Sequence, residues 1–143
     1  MPERILVPLD GSDPSWDAFE FALSEYASPA EFVVLHVINP MEGAYGADAM
    51  GGDYWEGWYE NAEARAERLF EEARDRAGDR GDALESVYEM GSPAHTIIDY
   101  SDEHDIDHIV IGSHGRTGVS RILLGSVAES VVRRAAMPVT VVR

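Results

Sequence analysis

Two stretches of this chain are apolar at nearly every position instead of every second one, and that excludes most folds. Arg4 to Asp10 reads Arg-Ile-Leu-Val-Pro-Leu-Asp, and Glu31 to Ile38 reads Glu-Phe-Val-Val-Leu-His-Val-Ile. A strand with one wet face alternates between apolar and polar residues. A strand without alternation is covered on both faces, as in a parallel sheet layered between helices. Asp107 to Gly112 (Asp-His-Ile-Val-Ile-Gly) repeats the pattern, Ala83 to Met90 is a weaker and partly exposed version, and Val139 to Arg143 is a last short one.

Between these strands the period changes to that of a helix. Ser12-Asp13-Pro14 supplies a polar cap and a proline at the first helical position, and Trp16, Phe19, Leu23 and Tyr26 follow on one face. The stripe Trp58, Ala62, Ala66, Leu69, Ala73, Ala77 predicts a second helix from about Trp58, ended by Gly78 and Gly81. Ser92-Pro93 opens a third, carrying Ala94, Ile97, Ile98 and Ser101. A last helix spans Val127 to Ala136, with Ser126 and Glu129 in capping-box spacing and Arg133 and Arg134 complementing the dipole at its C-terminal end. Met41 to Gly57, rich in glycine and aromatic residues, reads as a long loop. Strand and helix in alternation imply right-handed crossovers and an α/β sheet in a single domain over residues 1–143. Periodicity leaves the strand order open.

In such sheets ligands bind outside the C-terminal ends of the strands, where the strand order reverses. Two strand ends are distinctive. The first is Pro8-Leu9-Asp10-Gly11; the fourth runs into Gly112-Ser113-His114-Gly115-Arg116-Thr117-Gly118, and Gly125-Ser126 opens the last helix. Glycines here let backbone N–H groups approach an anion, and a helix N-terminus favours a phosphate. A plainer function competes at several positions. Asp10 suits a turn cap, and Ser126 suits a helix cap whether or not phosphate is bound. His114 reads as a solvated residue and His36 as a packed one, while His104 and His108 are separated by a strand start that spoils a helical metal pair.

Gly112, Gly115, Gly125 and Ser126 form Gly-x2-Gly-x9-Gly-Ser, which resembles the nucleotide motif of the universal stress protein family at every fixed position. The Ile-Leu-Val-Pro-Leu-Asp-Gly-Ser start, the Leu-Leu-Gly-Ser-Val-Ala-Glu segment and the Pro-Val-Thr-Val-Val ending are also similar to that family. The resemblance implies an open five-stranded parallel sheet of order 3-2-1-4-5 with helices on both faces, like the adenine nucleotide alpha-hydrolases. It implies ATP, with Mg²⁺, between strands one and four. Asp10 and the backbone of Val37 would then recognise adenine, and Pro8, Leu9, Ile111 and Gly112 would flank base and ribose. Gly115, Arg116, Gly125, Ser126 and Val127 would surround the phosphates. Ala128 stands where some ATP-binding relatives have a hydroxyl residue. The family also implies a homodimer through Val139 to Arg143, a run of β-formers uncharged until Arg143.

Composition narrows the chemistry. The chain has 27 acidic and 11 basic residues, a net charge of −16, and so repels nucleic acid and anionic membrane. Every basic residue is arginine, which excludes Schiff-base chemistry and the lysine of a P-loop. The absence of cysteine excludes thiolate nucleophiles and disulfides. Gly-x-Ser-x-Gly is absent, as is the Ser-Gly-Gly-x-Asp-Ser loop of the ATP pyrophosphatases. With no secretory signal or membrane-length apolar run, the expected location is the cytoplasm. Acidity with arginine in place of lysine resembles the cytosolic proteins of salt-accumulating organisms, halophilic archaea among them. The functional expectation is a nucleotide-responsive stress module. A weak ATPase or autophosphorylating enzyme and a nucleotide-independent structural dimer are the alternatives.

Overall fold

A computed structural model describes residues 3–26, 29–43, 52–114 and 124–143. In chain order its elements are β1 (Arg4–Pro8), α1 (Asp13–Glu25), β2 (Glu31–Ile38), α2 (Gly52–Ala77), a 3-10 segment (Gly78–Ala83), β3 (Leu84–Met90), α3 (Pro93–Glu103), β4 (His108–Gly112), α4 (Ser126–Arg134) and β5 (Val139–Val142). The strands form one sheet of order β3-β2-β1-β4-β5, with every pairing parallel. This is the order that the family resemblance implies.

The unbroken apolar runs are used on both faces. Ile5, Val7, Phe32, Val34 and Val110 pack under α1 and α2 against Trp16, Phe19, Ala66, Phe70 and Ala73. Leu6, Val33, Leu35, Ile109 and Ile111 pack under α3 and α4 against Ile97, Ile98, Tyr100 and Val131. Adjacent residues of one strand thus belong to opposite cores, and each large buried side chain contributes about 1.5–3 kcal/mol. Among the described residues no helix is long and apolar enough to cross a membrane.

Local chemistry sets the helix ends. Ser12 caps α1 by accepting the Ser15 N–H at 3.3 Å, with Pro14 in the first turn. No basic residue lies in the last turn of α1. Arg80 supplies the charge from the 3-10 segment, donating to the carbonyls of Leu23 and Tyr26 at 2.7 Å each while its guanidinium covers the Phe32 ring at 4.6 Å. At the N-terminal edge of the sheet, Arg4 pairs with Glu31 at 2.9 Å and Glu85 at 3.4 Å, and donates to the His104 carbonyl.

Two sequence expectations change. Helix α2 begins at Gly52 instead of near Trp58, so Tyr54 and Trp55 are helical and Trp55 meets Trp58 edge-on at 5.7 Å. Gly57 lies within the helix on an open face, where the cost of an interior glycine is only about 1 kcal/mol. The capping box at Ser126 does not form. Gly125 holds the N-cap position with extended backbone, Ser126 is the first helical residue, and no side chain caps α4, which ends at Arg134.

Tyr88 of β3 ties the sheet edge to α2 by donating its hydroxyl to Glu63 at 2.5 Å. This hydrogen bond to a carboxylate pushes the Tyr88 phenol up to about 12. A raised phenol pKa stabilises the fold below the ordinary tyrosine pKa of about 10, and that contribution is lost as pH rises through the folded value. Absorbance titration at 295 nm should find one tyrosine ionising near the higher value, and in Glu63→Gln it should return toward the ordinary one. An unchanged titration in the variant would refute the link.

Candidate functional site

At the C-terminal edge of the sheet, β1 and β4 lie side by side while their connections leave in opposite directions. A cavity of about 350 Å³ opens there, within the usual range for small-molecule sites. Pro8, Leu9, Asp10, Val37, Ile111, Gly112, Gly125, Ser126 and Val127 all line it. These are nine of the eleven positions singled out in the sequence; Gly115 and Arg116 lie outside the described residues.

The floor is rigid. The Leu9 N–H donates to the Leu35 carbonyl at 2.9 Å, and the Leu9 carbonyl lies 2.7 Å from His36 Nδ1. That contact requires a proton on Nδ1. His36 is 4% exposed, a packed side chain as its strand position suggests, and it is also part of the cavity wall. Asp10 follows β1. Its Oδ1 accepts both the backbone N–H and the hydroxyl of Ser12, so it caps the turn and still borders the cavity.

On the other side, the chain leaving β4 and the chain entering α4 are tied together. The Gly125 N–H donates to the Ser113 carbonyl at 2.7 Å, and the Ser113 N–H donates to Val142 at 2.9 Å. Because Gly125 is the cap, the exposed Ser126 side chain sits at the cavity wall without a capping role, beside the free N–H groups of the first turn of α4. Ala128, buried and methyl-sized, closes the wall.

Gly112 is needed for a different reason from the one its position suggests. A Cβ there would lie 2.6 Å from the Pro14 carbonyl oxygen, so the missing side chain makes room for the first turn of α1. His114 is half-buried on the wall, 3.1 Å from the Ser113 hydroxyl, and so is less solvated than its loop position suggests. His104 stacks on Tyr100 at 3.8 Å between ring centroids, whereas His108 bonds Thr140 at 2.7 Å and Tyr26. They form no metal pair, and no group of three or more possible metal ligands occurs among the described residues.

Sequence reasoning missed much of the wall, including Asn39 and Glu42 beyond β2, Ala62 and Arg65 on α2, and Pro93 and Ile97 on α3. Ala62 is legible as a stripe residue, but nothing in the period says that the stripe's first turn reaches the strand ends.

The Gly112 contact is with backbone, which cannot swing aside. Gly112→Ala should lower stability by about 1–3 kcal/mol in urea unfolding. Gly57→Ala, where a Cβ meets nothing within 4 Å, should leave stability unchanged or raise it by up to about 1 kcal/mol. Equal effects at the two sites would show that the close approach at Gly112 is relieved at no cost.

Comparison with known proteins agrees with this architecture. The universal stress protein family matches residues 1–143. The universal stress protein YxiE of Bacillus subtilis is 31% identical, with 100% of each chain covered. The solved structure of MJ0577, a universal stress protein of Methanocaldococcus jannaschii, superposes with a TM-score of 0.85 at 27% identity, covering 99% of this chain and 96% of that one. A universal stress protein solved in complex with cAMP superposes with a TM-score of 0.67 at 25% identity, covering 99% and 96%. Matched along its whole length in sequence and sharing the fold of these structures, the chain belongs to the universal stress protein family.

Proposed function

We propose that this protein binds ATP in the cavity between β1 and β4 and acts as a nucleotide-responsive binding module. The observation that carries the reading is the convergence of nine of the singled-out positions from four separate segments on one concave site, beside the N-terminus of α4. In this reading the Val37 backbone and Asp10 recognise adenine; Pro8, Leu9, Ile111 and Gly112 hold base and ribose; Gly125, Ser126 and Val127, with Gly115 and Arg116, take the phosphates. The related structure in complex with cAMP supports an adenine nucleotide as the ligand class. A Mg²⁺ entering with ATP needs phosphate oxygens, water and at most one or two protein oxygens, which the Ser126 hydroxyl at the phosphate end suits. What the chain itself contributes is binding, orientation and a dry wall around the base.

A homodimer through β5 is the second part of the proposal. The Ile109 N–H donates to the Pro138 carbonyl, and the Ser113 N–H to the Val142 carbonyl. Because backbone groups alternate in direction along a strand, Val139 and Val141 turn theirs away from β4 toward the open edge. Those groups suit antiparallel pairing with a second copy in a closed two-fold interface.

Thermal unfolding in molar KCl should rise with Mg-ATP, by an amount equivalent to about 2.7 kcal/mol at 100 times Kd. No shift, with no calorimetric binding at millimolar ATP, would overturn nucleotide binding. Sedimentation at high salt should find a dimer in the parent and a monomer in Val141→Pro, which removes an outward donor and leaves the β4 ladder intact. A monomeric parent would overturn the dimer, and a fully dimeric variant would move the interface elsewhere.

A further inference from the structure

Arg65 is the one arginine of the described residues that lines the cavity. Along α2, the positions three and four residues away hold Asn61, Ala62, Arg68 and Leu69, with no carboxylate among them. By contrast, Arg76 reaches Glu72 at 2.7 Å and Arg133 reaches Glu129 at 2.8 Å, both four residues away on their own helices. Among the described residues Arg65 forms no ion pair, in a chain with 27 acidic residues. A guanidinium without an ion pair among the described residues, on the wall of a cavity whose other described charged residues are Asp10 and Glu42, is a local exception to the net charge of −16.

The fold also determines the side from which it comes. Helix α2 packs through Ala66, Phe70 and Ala73 on one face of the sheet, and α4 packs through Val131 on the other. Arg65 is next to the fully buried Ala66, so its Cα is anchored while its side chain stays exposed. Ala62, one turn earlier, is methyl-sized and leaves the wall beside Arg65 open.

We propose that Arg65 is a phosphate-recognising residue, closing on the anionic part of the ligand from the α2 side while the N-terminus of α4 holds it from the other. This rests on the nucleotide-binding reading and adds to it a residue that discriminates phosphorylated ligands from the nucleoside. A planar, permanently charged fork suits phosphate oxygens, and a charge-assisted contact of this kind is among the stronger ones.

The test is calorimetry of Mg-ATP and of adenosine with the full chain, in the parent, in Arg65→Gln and in Arg68→Gln, at one KCl concentration. Arg68 is an exposed neighbour on the same helix that does not line the cavity. Arg65→Gln should weaken ATP about tenfold and adenosine by less than about twofold, with an unchanged ligand-free melting temperature, and Arg68→Gln should behave as the parent. An unchanged ATP affinity in Arg65→Gln, an equal loss for both ligands, or an equal loss in Arg68→Gln would overturn the assignment and leave nucleotide binding standing. A parent that binds neither ligand would overturn both.

Discussion

Everything at the site follows from the position of β1, a strand whose Ile5, Leu6 and Val7 are fully buried and which has a parallel partner on each side. Neither face can be left to water, so helices must cover both, and parallel neighbours require that every crossover return to the same starting edge. All strands therefore finish at one edge, and the helices that follow begin there with their unpaired N–H groups. Because the order reverses at β1, the connections after β1 and β4 diverge, and the gap between them is the cavity.

The charge distribution follows the same division of the molecule. Arg4 gathers Glu31, Glu85, the Asp107 carboxylate and the His104 carbonyl at the strand starts, where no helix N-terminus helps to hold negative charge. Arg76 covers Trp16 at 4.1 Å and pairs with Glu20 and Glu72, fastening α2 to α1. Arginine can do both at once because its guanidinium is flat enough to stack and still presents a fork of donors. At the opposite edge, helix N-termini offer fixed partial positive charge at short range. A surface of −16 raises a long-range barrier to an anion, which salt screens, whereas direct donors at the wall are little affected by screening. An acidic protein and an anion site are thus compatible, most of all at high ionic strength.

Where sequence reasoning stopped short, the missing information was spatial. The α2 stripe from Trp58 to Ala77 is legible from its spacing, but the helix start at Gly52 is not, since the glycine at 57 argues against a helix and only its open surroundings make it tolerable. Phe70 was absent from that stripe, yet it is 3% exposed and belongs to the core under α1 and α2. The capping-box spacing of Ser126 and Glu129 was real in the sequence and unused in the structure. Gly125, tied to Ser113, reached the cap position first, and Glu129 instead pairs with Arg133.

The sequence by itself determined the class of the fold, because unbroken apolar runs can only be buried on both faces, and it determined which residues end the strands. It also marked nine of the residues that line the cavity, since glycine, proline and aspartate at strand ends are local choices with local signatures. Strand order needed resemblance to a family, because periodicity is blind to which strand lies beside which. Only the tertiary structure decided that Gly112 makes room for the backbone of Pro14, that Arg80 closes α1 from 54 residues away, and that Arg65 looks onto the cavity. Those contacts join segments that are remote in the chain, and their existence depends on the sheet's geometry, which no single stretch of residues carries.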